Sequence, residues 1–240
     1  MNRKVLLLLS GGLDSTILLY KLVESYGRDN VTALTFNYGQ KHAIELQKAK
    51  TSTVRHGVGH KFVDISFLGD MVKDVSAMVA NSSIDTPHIK EVLGDPQTST
   101  YVPFRNQILS SLAFAYAEAN DIDSVYLSIQ AQDSYSYWDT SAEFVKRFNG
   151  LASLNRKVKI ELKTPFVDMS KSDEINLGVK LGVNFIDTWT CYRGAIDSKA
   201  CGTCASCSER LANFAKSGIK DPIEYEIEIN WQQMFDLYHK

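Results

Sequence analysis

The sequence predicts an α/β protein with a parallel sheet and a small helical region at its C-terminal end. Two observations support this class. Apolar strand-like runs alternate with helix-like runs through most of the 240 residues, an order typical of parallel sheets with helices on both faces. All 4 cysteines fall in one late stretch, Cys191 to Cys207. We therefore expect an α/β domain over residues 1–185 and a C-terminal region over residues 186–240 packed on it.

The predicted strands are short apolar runs that lead into polar turns, and the runs between them have helical character. The predicted strands are residues 5–9, 31–36, 61–65, 124–129 and, at an edge of the sheet, 158–162. The predicted helices are residues 14–26, 41–56, 108–117 and 171–181. Ligands gather at the carboxyl ends of parallel strands, so we expect Ser10, Asn37 and Gln130 to surround one site.

The segment from residue 71 to residue 99 interrupts this alternation. It has weak periodicity, many polar residues and two prolines, Pro87 and Pro96. It is either a lid over the site or a surface loop without a functional role.

Composition and charge narrow the class of protein. The chain is 44% hydrophobic and 22% charged, with a formal net charge of −2, so no global charge favours nucleic-acid binding. The apolar run after Arg3 and Lys4 is shorter than the core of a signal peptide, and no run reaches the roughly 18 residues of a membrane span. We expect a cytoplasmic protein that needs neither a membrane nor a nucleic acid.

The turn after the first strand has the chemistry of a phosphate-binding loop. Glycines in such a turn let the backbone approach an anion, hydroxyls add donors, and the helix that follows points its N–H groups at the same place. Asp14 is placed to cap that helix or to hold Mg²⁺. The candidate nucleotide-binding residues here are Leu9, Ser10, Gly11, Gly12, Leu13, Asp14, Ser15 and Thr16. The spacing matches neither a Walker loop nor a dinucleotide fingerprint.

The cysteines Cys191, Cys201, Cys204 and Cys207 have the spacing of a closed metal site. Four thiolates suit a structural, tetrahedral Zn²⁺, which would brace the loop around Trp189. An iron–sulfur cluster and disulfides are the alternatives, and cytoplasmic location argues against disulfides.

Other polar strings lie at predicted strand ends and helix starts. Gln40 and His42 follow the second strand and either contact a nucleotide or cap the next helix, and Phe36, at the end of that strand, is a further candidate nucleotide contact. Arg105, at a helix start, is a candidate phosphate ligand or else a surface arginine. Lys171 follows Ser170, a predicted N-cap; a lysine opposes the helix dipole there, which favours a functional charge.

An aromatic, acidic turn follows the fourth strand. Asp133, Tyr137 and Asp139 with their aromatic neighbours suit a flat, nitrogen-rich ring. The alternative is a hydrophobic lid under a helix.

The string Ser10-Gly-Gly-Leu-Asp-Ser-Thr16 resembles the PP-loop of ATP pyrophosphatases. With four further strings it is similar to the 7-cyano-7-deazaguanine synthase family. Those strings are Ala33–Gln40, Tyr101–Asn106, Thr164–Lys171 and Thr188–Tyr192, the last combined with the three later cysteines. The resemblance implies the Rossmann-like PP-loop fold, also called the adenine nucleotide alpha hydrolase fold, and a zinc-bearing homodimer.

The resemblance also implies a reaction. ATP adenylates 7-carboxy-7-deazaguanine with release of pyrophosphate, ammonia displaces AMP to give an amide, and a second activation dehydrates the amide to the nitrile, 7-cyano-7-deazaguanine (preQ0). The cofactors implied are ATP, Mg²⁺ and Zn²⁺. The implied catalytic residues are Asp14, Ser15, Arg105 and Lys171, and the implied substrate contacts are Arg105, Asn106, Asp133, Tyr137, Asp139 and Trp189.

The chain departs from the family pattern at two places. The family commonly has glycine at the position of Phe104, and it usually reads D-Y-S-G-Y-P-D-C-R where this chain has residues 133–141. An alternative is therefore a related PP-loop ligase that stops at the amide or uses another amine. A tRNA-modifying thiolase and a non-catalytic binding module are more distant alternatives.

Overall fold

The structure, a computed structural model, describes residues 3–41, 43–92, 95, 97–131, 137–194 and 199–239. It contains a five-stranded parallel sheet with the strand order β3-β2-β1-β4-β5. The strands are β1 (Val5–Leu8), β2 (Val31–Asn37), β3 (Gly59–Asp64), β4 (Ser124–Tyr126) and β5 (Glu161–Lys163). The predicted parallel α/β class is confirmed, and β5 is an edge strand, as predicted, but begins three residues later than predicted.

Helices cover both faces of the sheet. They are α1 (Leu13–Tyr26), α2 (Ala43–His56), α3 (Phe67–Val72), α4 (Ile89–Val92), α5 (Arg105–Ala119), α6 (Ala142–Ala152), α7 (Lys171–Lys180), α8 (Ala205–Lys216) and α9 (Trp231–Tyr238). The predicted helices correspond to α1, α2, α5 and α7. Ser170 caps α7 through a capping box with Asp173, as the sequence predicts.

The two faces of β1 contribute to two different parts of the core. Leu6 and Leu8 pack into one cluster, which includes residues from α5 and α6. Leu7 packs into the other cluster, which includes residues from α1, α7 and α8. Because both faces of a central parallel strand are covered, all four residues of β1 are apolar and buried.

The segment over residues 71–99 is docked in its middle part. The backbone N–H of Lys41 donates to the carbonyl of Met78 at 3.0 Å, and that of Ala80 donates to Gly39 at 2.7 Å. These bonds fix the segment against the turn after β2, and Met78 is buried there. This part of the segment is therefore packed against the fold and is not a plain surface loop.

The C-terminal region shares a core with the sheet. Phe214 of α8 is fully buried in the cluster that contains Leu7, and Ala200 pairs with Tyr225 in a parallel bridge. The boundary after residue 185 stays a prediction. Within the described residues, every helix is too short or too polar to span a membrane.

Candidate active site

The hydroxyl groups of Ser10 and Ser15 stabilise the turn between β1 and α1 through hydrogen bonds within it. Ser10 Oγ accepts a hydrogen bond from the Gly12 N–H at 3.1 Å and lies 3.0 Å from Ser15 Oγ. Ser15 is buried, and its hydroxyl also lies 3.3 Å from the Gly12 carbonyl. These bonds shape the turn beside the N-terminus of α1, where the helix dipole favours an anion.

The two glycines of this turn differ in what they do. Gly11 has a φ of +88°, and a Cβ there would lie 2.1 Å from the Glu45 carbonyl of α2. Its small size therefore permits the close contact between the loop and α2. Gly12 lines the cavity described below. Thr16 lies one turn into α1, fully buried and away from the cavity wall.

A cavity of about 240 Å³ lies at the carboxyl ends of β1, β2 and β4. It brings together most of the residues that the sequence singled out. Those on its wall are Leu9, Ser10, Gly12, Leu13, Asp14, Ser15, Phe36, Gln40, Arg105, Asn106, Tyr137, Lys171 and Trp189. Such an edge of a parallel sheet is where ligands bind in this class of fold. Asn37 and Gln130 are not part of the wall, and Gln130 is fully buried.

Some predicted residues lie elsewhere. Asp139 is buried, and its carboxylate accepts a hydrogen bond from the Asn106 N–H at 3.0 Å, so it holds the start of α5 in place. Burial raises the pKa of Asp139, although Arg105 acts in the opposite direction. His42 and Asp133 lie outside the described residues.

Gln40 closes the turn that contains it. Its side-chain oxygen accepts from the Tyr38 N–H at 2.9 Å, and its side-chain nitrogen donates to the Phe36 carbonyl at 3.2 Å. The residue lines the cavity while both ends of its amide are engaged. Its amide therefore stabilises the turn after β2, and within the described residues no hydrogen bond joins it to α2.

A charge cluster stands at one end of the cavity. The Lys171 ammonium group lies 3.4 Å from Asp14 Oδ2 and 3.4 Å from Glu209 Oε2. Lys171 is only 7% exposed, although it is the first residue of α7. The two carboxylates compensate both its burial and its position at the positive end of a helix dipole. The lysine is thus fixed beside the phosphate-binding turn.

Arg105 stands at the first position of α5 and contacts Tyr38. Its Nη1 donates to the Tyr38 hydroxyl at 3.3 Å, and its guanidinium carbon lies 5.7 Å from the centre of the Tyr38 ring. Burial acts to lower the pKa of Arg105, but Tyr38 and Asp139 outweigh it and the pKa is raised. The side chain remains a cation in the cavity wall.

Phe104 precedes α5 in a left-handed conformation, with a φ of 55°. Its N–H donates to the Tyr101 hydroxyl at 3.0 Å, and Trp138 Nε1 donates to the same oxygen at 2.7 Å. The rings of Phe104 and Trp138 meet edge to face at 5.2 Å. Phe104 and Trp138 occupy positions where the family pattern has glycine and proline, so these two departures contact each other.

Several residues of the cavity wall were not predicted from the sequence. Glu45 lies in the first turn of α2, and Glu209 and Ser206 lie on α8; Tyr38, Thr100 and Thr190 are among the others. A helix that follows a strand begins at the ligand-binding edge of the sheet. The position of Glu45 in the first turn of such a helix could therefore have predicted its place in the cavity wall. Nothing in the local sequence placed Glu209 opposite Lys171.

The four cysteines form one buried cluster. Their Sγ atoms all lie within 4.8 Å of one another, and no disulfide joins them. Backbone N–H groups point at the sulfurs, among them Cys204 N at 3.3 Å from Cys201 Sγ and Cys207 N at 3.5 Å from Cys204 Sγ. Donors aimed at sulfur stabilise thiolates. The donor set and its compactness therefore fit one metal ion held by four thiolates.

The cysteine cluster is tied to the cavity wall. Trp189 and Thr190 line the cavity immediately before Cys191, and the Trp189 N–H donates to the Gly11 carbonyl at 3.1 Å. On the other side, His88 pairs with Cys204 in an antiparallel bridge. A change at the metal ligands would therefore reach both the phosphate-binding turn and the docked 71–99 segment.

A buried ion pair supports the same wall from behind. Arg210 of α8 binds Asp221 through two nitrogens and also donates to Thr188 Oγ1 at 2.9 Å. Both charged side chains are almost completely buried. The Tyr225 hydroxyl donates to the same carboxylate at 2.6 Å. This network fixes α8, and therefore Glu209, relative to the segment that leads into Trp189.

Comparison with known proteins gives one consistent family. The model of the family described as "Queuosine biosynthesis protein QueC" matches residues 4–218. The 7-cyano-7-deazaguanine synthase of Caldicellulosiruptor bescii is 41% identical over 232 residues, covering 95% of this chain and 100% of the relative. That of Pseudoalteromonas atlantica is 39% identical, covering 94% and 100%.

Among solved structures, the NMN synthetase from Francisella tularensis superposes with a TM-score of 0.49 at 17% identity, covering 99% of this chain and 84% of that one. The family match and the relatives, together with the loop, the cavity and the four clustered cysteines, show that this chain belongs to the QueC family of 7-cyano-7-deazaguanine synthases.

Proposed function

We propose that the protein converts 7-carboxy-7-deazaguanine and ammonia into 7-cyano-7-deazaguanine, with cleavage of ATP to AMP and pyrophosphate. The observation that carries this proposal is the single cavity walled by the phosphate-binding turn, Lys171 and Arg105. It places an anion-binding helix start and two cations in the wall of one cavity. The curated relatives bear the name of the nitrile-forming enzyme, which supports the same reaction.

The chemistry needs an activated carboxylate. A carboxylate is a poor electrophile. Transfer of AMP from ATP to its oxygen gives an acyl adenylate, in which AMP is a good leaving group. We propose that the Ser10–Ser15 turn and Lys171 hold the phosphates as pyrophosphate departs, and that Arg105 stabilises negative charge on the acyl side. Ser15 would donate its hydroxyl, and Asn106, Tyr137 and Trp189 would face the deazapurine. We also propose the roles that the sequence predicts for four further residues. Asp133 and Asp139 would contact the substrate, and His42 and Thr16 would contact the nucleotide.

Mg²⁺ would bind at Asp14. One oxygen of that carboxylate faces Lys171, and the other is buried without a hydrogen-bond partner among the described residues. An oxygen in that state fits a cation ligand. When bound, Mg²⁺ neutralises charge on the phosphates of ATP.

We propose Zn²⁺ as the ion of the cysteine site. Zn–S bonds of about 2.3 Å place tetrahedral sulfurs about 3.8 Å apart, close to the spacing of this cluster. A four-iron cluster fills the space between its ligands and needs a wider arrangement. With four protein ligands and no open position, Zn²⁺ would be structural.

We also propose a cytoplasmic homodimer that requires neither nucleic acid nor membrane. Reduced, clustered cysteines suit a reducing compartment. Phe67, Met71 and Val75 recur at helical spacing through α3 and just beyond it, and each is more than half exposed, which fits a self-association surface. Light scattering of wild type and Met71→Asp tests this, because a dimer through this surface would dissociate in the variant.

The function is tested by incubation with carboxydeazaguanine, ATP, Mg²⁺ and ammonium, with the products read by mass spectrometry. The nitrile mass and two AMP per product support the proposal. A second candidate is a ligase that stops at the amide or joins another amine. The contact between Phe104 and Trp138 favours this candidate, because it lies at the start of α5 next to Arg105. An amide as final product would establish it.

A further inference from the structure

Glu45 is an acidic residue of the cavity that has no role in the reaction as proposed above. It lies in the first turn of α2, and its side chain lines the cavity. The close approach of Gly11 presses the loop against the Glu45 carbonyl, so a Cβ at position 11 would displace it. The position of Glu45 is therefore fixed relative to the phosphate-binding turn.

The other acidic side chains of this region have ion-pair or hydrogen-bond partners, and the carboxyl group of Glu45 differs from them. Asp14 and Glu209 are paired with Lys171, and Asp139 accepts the Asn106 N–H. Within the described residues, Glu45 makes no side-chain hydrogen bond and no close ion pair. The group is thus available to a ligand in the cavity.

The surroundings of Glu45 suit proton transfer. Two titratable groups interact electrostatically with Glu45. They are Arg105 of α5 and Tyr38, which follows β2. Burial raises the pKa of Glu45 to about 7, against the opposing effect of Arg105. A proton acceptor is most effective when its pKa is near the working pH.

We propose that Glu45 is the general base of the amination step, an inference that rests on the proposed function. The nitrogen of ammonia bonds to the carbonyl carbon of the adenylated substrate, and the bond from that carbon to the AMP oxygen breaks. One proton passes from nitrogen to the Glu45 carboxylate and then to solvent.

The experiment separates the two halves of the reaction. Pyrophosphate exchange into ATP, dependent on carboxydeazaguanine and without ammonium, reports adenylation; amide formation with ammonium reports amination. In Glu45→Gln we expect amide formation to fall by about 100-fold, far more than exchange. The wild-type amination rate should rise with pH through an inflection near the Glu45 pKa, and this inflection should be absent in the variant. Glu45→Asp should retain it.

A second nucleophile sharpens the test. Hydroxylamine is largely unprotonated at neutral pH and needs less help from a base, so it should partly rescue Glu45→Gln. Glu24→Gln, on the exposed side of α1, is the matched control and should behave as wild type. Equal losses in both halves, or a change only in KM for the carboxylic acid, would overturn the role of Glu45. Absence of exchange in wild type would instead overturn the proposed function, and the role of Glu45 with it.

Discussion

The ammonium group of Lys171 lies 3.4 Å from the carboxylate of Asp14. The two residues are 157 positions apart in the chain (171 − 14), and they meet because α1 and α7 both begin at the cavity. Each side chain has a ligand-directed use in the proposed reaction, Lys171 toward phosphate and Asp14 toward Mg²⁺. Their contact keeps both charges in place before ATP arrives.

Asp14→Asn should lower carboxydeazaguanine-dependent AMP formation by at least about 100-fold, because the amide cannot neutralise Lys171 or bind Mg²⁺ well. The melting temperature should change little, since Glu209 still pairs with Lys171. AMP release and thermal unfolding measured on one preparation check both points. Turnover close to wild type would contradict the assignment of Asp14.

Phe104 should respond to substitution in the opposite way from an ordinary helix residue. Its left-handed backbone costs a side-chain-bearing residue about 1–2 kcal/mol, so Phe104→Gly should be more stable than Phe104→Ala by about 1 kcal/mol. At Glu24, inside α1, the alanine variant should be the more stable one by a similar amount. Urea denaturation of the four variants measures this, and alanine more stable than glycine at position 104 would refute it.

Cys204→Ser should lower both the bound zinc and the melting temperature, because an unfilled thiolate site loses folding free energy. Pyrophosphate exchange should fall as well, since Trp189 and Thr190 precede a ligand of the same ion. Ser208→Ala, on the same helix, is the control. Metal analysis and calorimetry provide the readouts. Unchanged zinc content and melting temperature would count against a structural metal.

Arg210→Met should destabilise the protein by about 3–5 kcal/mol, because it leaves the Asp221 carboxylate buried without its cation. The double variant Arg210→Met with Asp221→Leu should recover much of that loss. The free energy of unfolding from denaturant titration measures both values. Additive losses in the double variant would show that the two side chains do not act as a pair.

Stability should also depend on pH through Glu45. The folded-state pKa is raised from 4.5 to about 7, so between these values the folded protein holds a proton that the unfolded chain has lost. The free energy of unfolding contributed by this group therefore falls as pH rises through that window, and it is lowest above it. Glu45→Gln should flatten this part of the stability curve relative to wild type and to Glu24→Gln. Identical slopes in all three proteins would indicate that Glu45 titrates normally.

Features that depend on neighbouring residues could be predicted from the sequence. The apolar run of β1, the Ser10–Ser15 turn and the capping box at Ser170 are each set by neighbouring residues, so spacing alone identified them. The four cysteines were also identifiable as one site, because three of them lie within seven residues and thiolates have few other uses at such spacing.

Contacts between groups that are distant in the chain became visible in the folded protein. Gly11 contacts α2, Glu209 reaches Lys171 from a helix near the C-terminus, and Glu45 shares a wall with Arg105. Such contacts depend on the strand order and on helix packing, which fix separations of tens to hundreds of residues. Local periodicity contains no information about them, since it reports only which face of each element is apolar.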